Sequence, residues 1–130
     1  MTSNFNIKLR SRIIERALIL EKLSSEVLKM LLRLIYLDTK TLSNKSSSLS
    51  FKNKIDLLYD LGAITKNQHN YFGKFMELRN QFAHNIDCSS YLDFQKINPS
   101  TYKYIQSKFP NEDHSFASSL KELYLSLIHI

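Results

Sequence analysis

Residues 77–85 read Glu77-Leu78-Arg79-Asn80-Gln81-Phe82-Ala83-His84-Asn85. An arginine, an amide and a histidine stand close together between Arg79 and His84, and the same segment carries Phe72, Phe75, Leu78 and Phe82 at spacings of three and four. That spacing predicts a helix, about Lys66 to Asn85, packed on one side and chemically equipped on the other. With Arg79 as zero and 100° per residue, Tyr71, Phe75, Leu78 and Phe82 fall between about 260° and 320°, and Phe72, Ala83 and Met76 between about 20° and 60°. Arg79 therefore sits inside the apolar arc. Glu77, Asn80 and His84 occupy another side, between about 100° and 160°.

Outward from this segment the chain reads as helices joined by short links. Its 130 residues suffice for one domain with a core. Only two Gly and two Pro are present, too few for a fold of many tight turns. From about Ile7 to Leu37, Ile13, Ala17, Leu18, Leu28, Leu31, Leu34 and Ile35 are among the apolar residues that predict one long helix. Asp38 to Ser50 is a linker, and its polar tract at about 39–49 predicts a flexible loop within a single domain spanning 1–130. A second helix runs from Ser50, a suitable N-cap, to Leu61, with Ile55, Leu58 and Tyr59 as its stripe and Phe51 one turn back. Gly62 follows where a C-cap glycine belongs, and Thr65 is placed to cap the third helix. After a loop at Asp87 to Ser90, Asn98-Pro99-Ser100 can open a short helix with Tyr102, Ile105 and Phe109 on its apolar side. Asn111 or Asp113 can open a last helix, about Glu112 to Ile128, with Phe116, Leu120, Leu123 and Leu127 inward. The expected fold is an all-α antiparallel bundle of four to five helices, the first packed on the third through Leu18, Leu28, Leu31, Phe75 and Phe82.

The net charge is +6, and its distribution is uneven. Up to Arg79 there are 14 Lys/Arg against 7 Asp/Glu, and beyond it 4 against 5. Such an excess suits an anionic partner such as RNA, DNA or an acidic protein, or simply makes a solvated basic surface. Lys8, Arg10, Arg12 and Arg16 invite the reading of a polyanion-facing arm. They do not share one face at 100° per residue, which favours a core helix with a wet charged side. A lone Cys88 cannot build a disulfide framework, the start Met1 to Asn6 is polar, and the Ile13–Leu20 run is interrupted by Glu15 and Arg16. Together these predict a cytoplasmic protein with no membrane span.

Arg79 on an apolar arc needs acceptors, because guanidinium keeps its charge. Either Asp56 or Asp60 of the second helix pairs with it, or the arc opens there onto a cleft or partner. His84 can move a proton near neutral pH. With Arg79 beside it, one histidine supports attack of a ribose 2′-hydroxyl on the adjacent phosphate without a metal. Asn80, one turn earlier, can hold the imidazole or the phosphate. The plainer alternative is that Asn80 and His84 only tie structural elements together. His69, His84, His114 and His129 show no paired metal-ligand spacing with one another or with Cys88, so neither metal nor cofactor is expected. Cys88 lies near His84 but lacks an orienting third group and reads as structural.

Arg79-Asn80-Gln81-Phe82-Ala83-His84 resembles the R-x4-H signature of the HEPN superfamily. The run from Leu49 through Ile64, with its lysine-containing amphipathic helix and Leu61-Gly62 turn, and the helix end at Phe82-Ala83-His84 are similar to the mannitol operon repressor branch. The likeness covers about a third of the chain. It implies a HEPN-like bundle and a homodimer whose Arg/His segments face each other across a composite cleft. In many members it implies a metal-independent RNA endonuclease of toxin–antitoxin, abortive-infection or CRISPR systems, restrained by an antitoxin or regulatory protein partner. Arg79 and His84 would then be catalytic, with Asn80 supporting. The alternative within the same resemblance is a non-enzymatic, mannitol-repressor-like regulator or partner-binding module. No helix-turn-helix motif stands in the sequence to read DNA.

Overall fold

A computed structural model describes residues 7–33 and 50–129. Among these residues it is all helical, with six helices: α1 (Ile7–Arg33), α2 (Phe51–Asp60), α3 (Lys66–His84), α4 (Tyr91–Ile97), α5 (Pro99–Lys108) and α6 (Phe116–Leu127). The expected continuation of α1 to Leu37 and the polar loop at 39–49 lie outside the described residues. The all-α class is as expected. The described helices outnumber the expected four to five, because α4 forms where only loose structure was foreseen.

α1 buries Leu9, Ile13, Ala17, Leu20, Ser24 and Leu28, spaced by three and four. At 1.5 Å per residue it is about 40 Å long. α3 buries Phe72, Phe75, Leu78 and Phe82, and α6 buries Phe116, Leu120, Leu123 and Leu127. Both stripes match the sequence pattern. α3 is the hub, packed against α1, α2, α5 and α6. α1 and α3 run in opposite directions. Arg10, near the start of α1, bonds the carbonyls of Asn85 (3.3 Å) and Cys88 (3.1 Å) just past the end of α3, while Leu18 and Glu21 lie beside Met76 and Arg79.

The ends of the helices follow local chemistry. Ser50 Oγ accepts from Asn53 N at 3.2 Å and caps α2. Gly62, at φ 76°, closes it: Gly62 N–H bonds Tyr59 O and Ala63 N–H bonds Leu58 O. Those two bonds satisfy carbonyls that the helix end leaves open, and the left-handed backbone favours glycine. Thr65 and Gln68 form a reciprocal capping box at α3. Asn98 caps α5, with Pro99 in its first turn.

The packing departs from expectation at four points. Leu18 is 56% exposed and does not join the α1–α3 core, whereas Leu28, Phe75 and Phe82 do and Leu31 packs at its margin. Tyr59 is exposed; the buried side of α2 carries Lys54, Ile55 and Leu58. α6 starts later than expected, capped by Ser115, whose Oγ accepts from Ser118 N. Asn111 and Asp113 brace that cap instead, each accepting from Ser115 N. Finally, α4 starts at Ser90, which accepts from Asp93 N, and delivers Phe94 to a ring cluster with Phe82 at 6.3 Å and Phe116 at 6.2 Å.

Phe82→Ala should cost about 3–5 kcal/mol, as for other fully buried phenylalanines, whereas Leu18→Ala should stay within about 1 kcal/mol because its side chain is largely in solvent. Equilibrium urea unfolding of the two variants measures both.

Candidate functional site

The phenylalanine stripe turns α3 so that Arg79 lies at the margin of the core, half-buried. It does not pair with Asp56 or Asp60. Among the described residues no carboxylate lies within salt-bridge distance of it. Its Nη1 donates to Asn80 Oδ1 at 3.0 Å. Asp56 is engaged elsewhere, accepting from His69 Nε2 at 2.8 Å and Lys52 Nζ at 3.4 Å. The guanidinium opens onto a cleft of about 310 Å³ between α1, α2 and α3, which Asn80 also lines. The second of the two outcomes open in the sequence, a cleft, is therefore the one found.

His84 ends α3 exposed, and its side chain makes no hydrogen bond among the described residues. It does not line the cleft. Five residues separate it from Arg79, about 7.5 Å along the axis and about 140° around it. One chain thus unites Arg79 with Asn80 but does not bring His84 to the same point. Glu77, on the side shared by Asn80 and His84, serves structure. Its Oε1 accepts from Thr101 Oγ1 at 2.6 Å and from Asn98 Nδ2 at 3.1 Å, fastening α3 to the start of α5. Desolvation pushes the Glu77 carboxyl up, but the bonds from Thr101 and Asn98 and the nearby Lys74 outweigh it and hold it below its ordinary value.

The end of α3 is held firmly. Arg10 places a cation on the carbonyls beyond His84, where the negative end of the helix dipole favours it. Arg16 lies over the Tyr124 ring at 5.1 Å. Two of the four cations of the supposed arm therefore have packing roles, while Lys8 and Arg12 remain exposed. Cys88 is buried, and desolvation, with Asp93 nearby, pushes its thiol up to about 11. Such a thiol is a poor nucleophile. Among the described residues no group of His, Cys, Asp and Glu is arranged to hold a metal, and no helix is long and apolar enough to cross a membrane.

Sequence reasoning missed Lys54. Its side chain is fully buried, with Nζ 2.8 Å from Ser25 Oγ and 4.0 Å from Glu21 Oε2. Glu21 lines the cleft from α1. The signal was available: Lys54 lies three residues after Phe51 and four before Leu58, on the inward side of α2.

Comparison with protein-family models, with curated proteins and with solved structures returns no match.

Acid should loosen the α2–α3 contact. The bond from His69 is the main influence that lowers Asp56, assisted by Lys52 against a smaller desolvation effect. A carboxyl lowered in the fold stabilises it above its unfolded pKa, and that contribution is lost as pH falls through the folded value. The thermal midpoint should therefore drop as pH falls from about 5 to below 3.8, the ordinary aspartate value. The drop should be shallower in Asp56→Asn, measured by circular dichroism melts across that range.

Proposed function

We propose that the chain is a HEPN-like, metal-independent RNA endonuclease. It works as a homodimer in a toxin–antitoxin or phage-defence type system, restrained by a protein partner. The observation that carries this reading is Arg79: a half-buried guanidinium with no carboxylate partner among the described residues, bonded to Asn80 and open to a cleft. A permanent cation with no carboxylate within salt-bridge distance favours an anion such as a phosphodiester.

In this mechanism Arg79 stabilises charge building on the phosphate oxygens, and Asn80 orients the guanidinium. His84 acts as base toward the 2′-hydroxyl or as acid toward the leaving 5′-oxygen. The angular gap between Arg79 and His84 favours a site completed by a second copy. Ile7 on α1 and Ile86 just beyond α3 are both exposed, and Arg10 brings those two chain segments together. Exposed isoleucines on two adjoining segments beside His84 suit a two-fold contact there. The basic bias of the first 79 residues suits RNA.

Light scattering at micromolar concentration should give twice the 15.2 kDa chain mass. An interface holding such a dimer should bury on the order of 1,200–2,000 Å². A monomer under those conditions argues against the composite site.

The purified protein should cut single-stranded RNA in EDTA, leaving 2′,3′-cyclic phosphate and 5′-hydroxyl ends. Arg79→Ala and His84→Ala should each slow it by roughly two or more orders of magnitude while remaining folded. A substrate with 2′-deoxyribose at the cut should be inert. Cutting of that substrate, or a requirement for divalent metal, removes this chemistry. Binding of RNA or a protein partner with no cleavage favours the non-enzymatic regulator.

A further inference from the structure

The cleft that receives Arg79 has a second charged wall. Glu21 faces it from α1, and buried Lys54 stands 4.0 Å from Glu21 Oε2. Among the described residues Glu21 Oε1 has no hydrogen-bond partner. Leu18, Phe51 and Met76 contribute apolar lining from α1, α2 and α3. The Phe51 ring is fixed edge-on against buried Phe72, with centroids 6.2 Å apart. One cleft therefore holds an arginine without a carboxylate, apolar and aromatic surface, and a carboxylate steadied by a buried ammonium.

We propose that this cleft binds an unstacked guanine of single-stranded RNA, with Glu21 as its specificity-determining residue. The identification of RNA as the ligand rests on the ribonuclease reading above. An ionised carboxylate only accepts hydrogen bonds. Guanine alone among the four bases presents two adjacent donors, N1–H and the 2-amino group, along its Watson–Crick edge. Adenine sets an acceptor nitrogen beside its single amino group, cytosine does the same, and uracil flanks its one N–H with two carbonyls. Each of these turns lone pairs toward Glu21. Single-stranded RNA is read in this way, by bases splayed onto apolar or aromatic surface and bonded along their edges. A base seated between Leu18, Phe51 and Met76 brings its 3′-phosphate within the cleft that Arg79 lines. Lys54 acts through Glu21: it stands against the carboxylate and holds it in place, and is a positioning residue.

Isothermal titration of the full chain with ribonucleoside 3′-monophosphates tests the assignment. 3′-GMP should bind at least about tenfold more tightly than 3′-AMP, 3′-CMP or 3′-UMP, because two bonds to a charged acceptor are at stake. 3′-IMP, which keeps N1–H and lacks the 2-amino group, should bind roughly tenfold more weakly than 3′-GMP. Glu21→Gln should erase the preference. Equal binding of all the nucleotides, binding of none, or an intact preference in a Glu21→Gln protein with an unchanged melt overturns the proposal. If Glu21→Gln does not fold, the 3′-GMP to 3′-IMP ratio on the natural chain decides alone. Guanine-selective binding by a protein that cuts no RNA sinks the ribonuclease reading and upholds the cleft. Cleavage without preference for guanine does the reverse.

Discussion

The rotational setting of α3 governs the molecule. Four large side chains, Phe72, Phe75, Leu78 and Phe82, are all fully buried and leave that helix no freedom to turn about its axis. Burying each is worth about 1.5–3 kcal/mol, so any rotation that exposes one is prohibited on the scale of net stability. α1, α2, α5 and α6 pack on that helix, and their stripes are complementary to it. Arg79 is carried to the rim of the core as a consequence. It is neither deep enough to demand an internal carboxylate nor far enough out to be an ordinary surface cation. The polar edge of α3 is then divided by its neighbours: Glu77 is consumed by the start of α5, and Asn80 and His84 are left outside.

Lys54 is the second constraint, and it opposes ordinary burial rules. A fully buried ammonium is costly unless bonded, and losing a partner leaves an uncompensated charge. Ser25 and Glu21 meet it from α1. Replacement of such a group by an apolar residue is often neutral or stabilising in other folds. The carboxylate that it steadies lines the same cleft as Arg79, so the internal charge of α2 helps to set the chemistry of that cleft.

Much of the fold was legible because local signals and tertiary packing agree. Ser50, Thr65 and Asn98 cap helices where their hydroxyls and amide suggest, and Gly62 takes the positive φ that its place after Leu61 requires. The readings that missed were those in which one residue type hid its role. α4 buries only Phe94, so it has no apolar period to read; its signal was the Ser90–Asp93 spacing at a helix start. Asn111 and Asp113 are good caps in isolation, but both brace Ser115, which does the capping. Leu18 fits the apolar spacing of α1 and yet lies outside its core stripe, on the cleft. Periodicity identifies a face without stating whether protein, ligand or solvent meets it. For the site, Asn80 was read as a support for the His84 imidazole or a phosphate, and it bonds the Arg79 guanidinium instead. The helical wheel already set His84 apart from Arg79, on the side that it shares with Asn80.

That separation bears on how the site is built. A single helix offers side chains to one point only at spacings of three or four, and five is a poor choice for cooperation within one chain. Spacing of that kind is productive when the two residues serve different neighbours. Arg79 meets the cleft among α1, α2 and α3, and His84 stands exposed at the helix end, outside that cleft. The bonds from Arg10 to the Asn85 and Cys88 carbonyls fix the backbone just past that end. A backbone held in this way costs little ordering entropy when a second surface docks. The same anchor brings together the chain segments that carry the exposed Ile7 and Ile86.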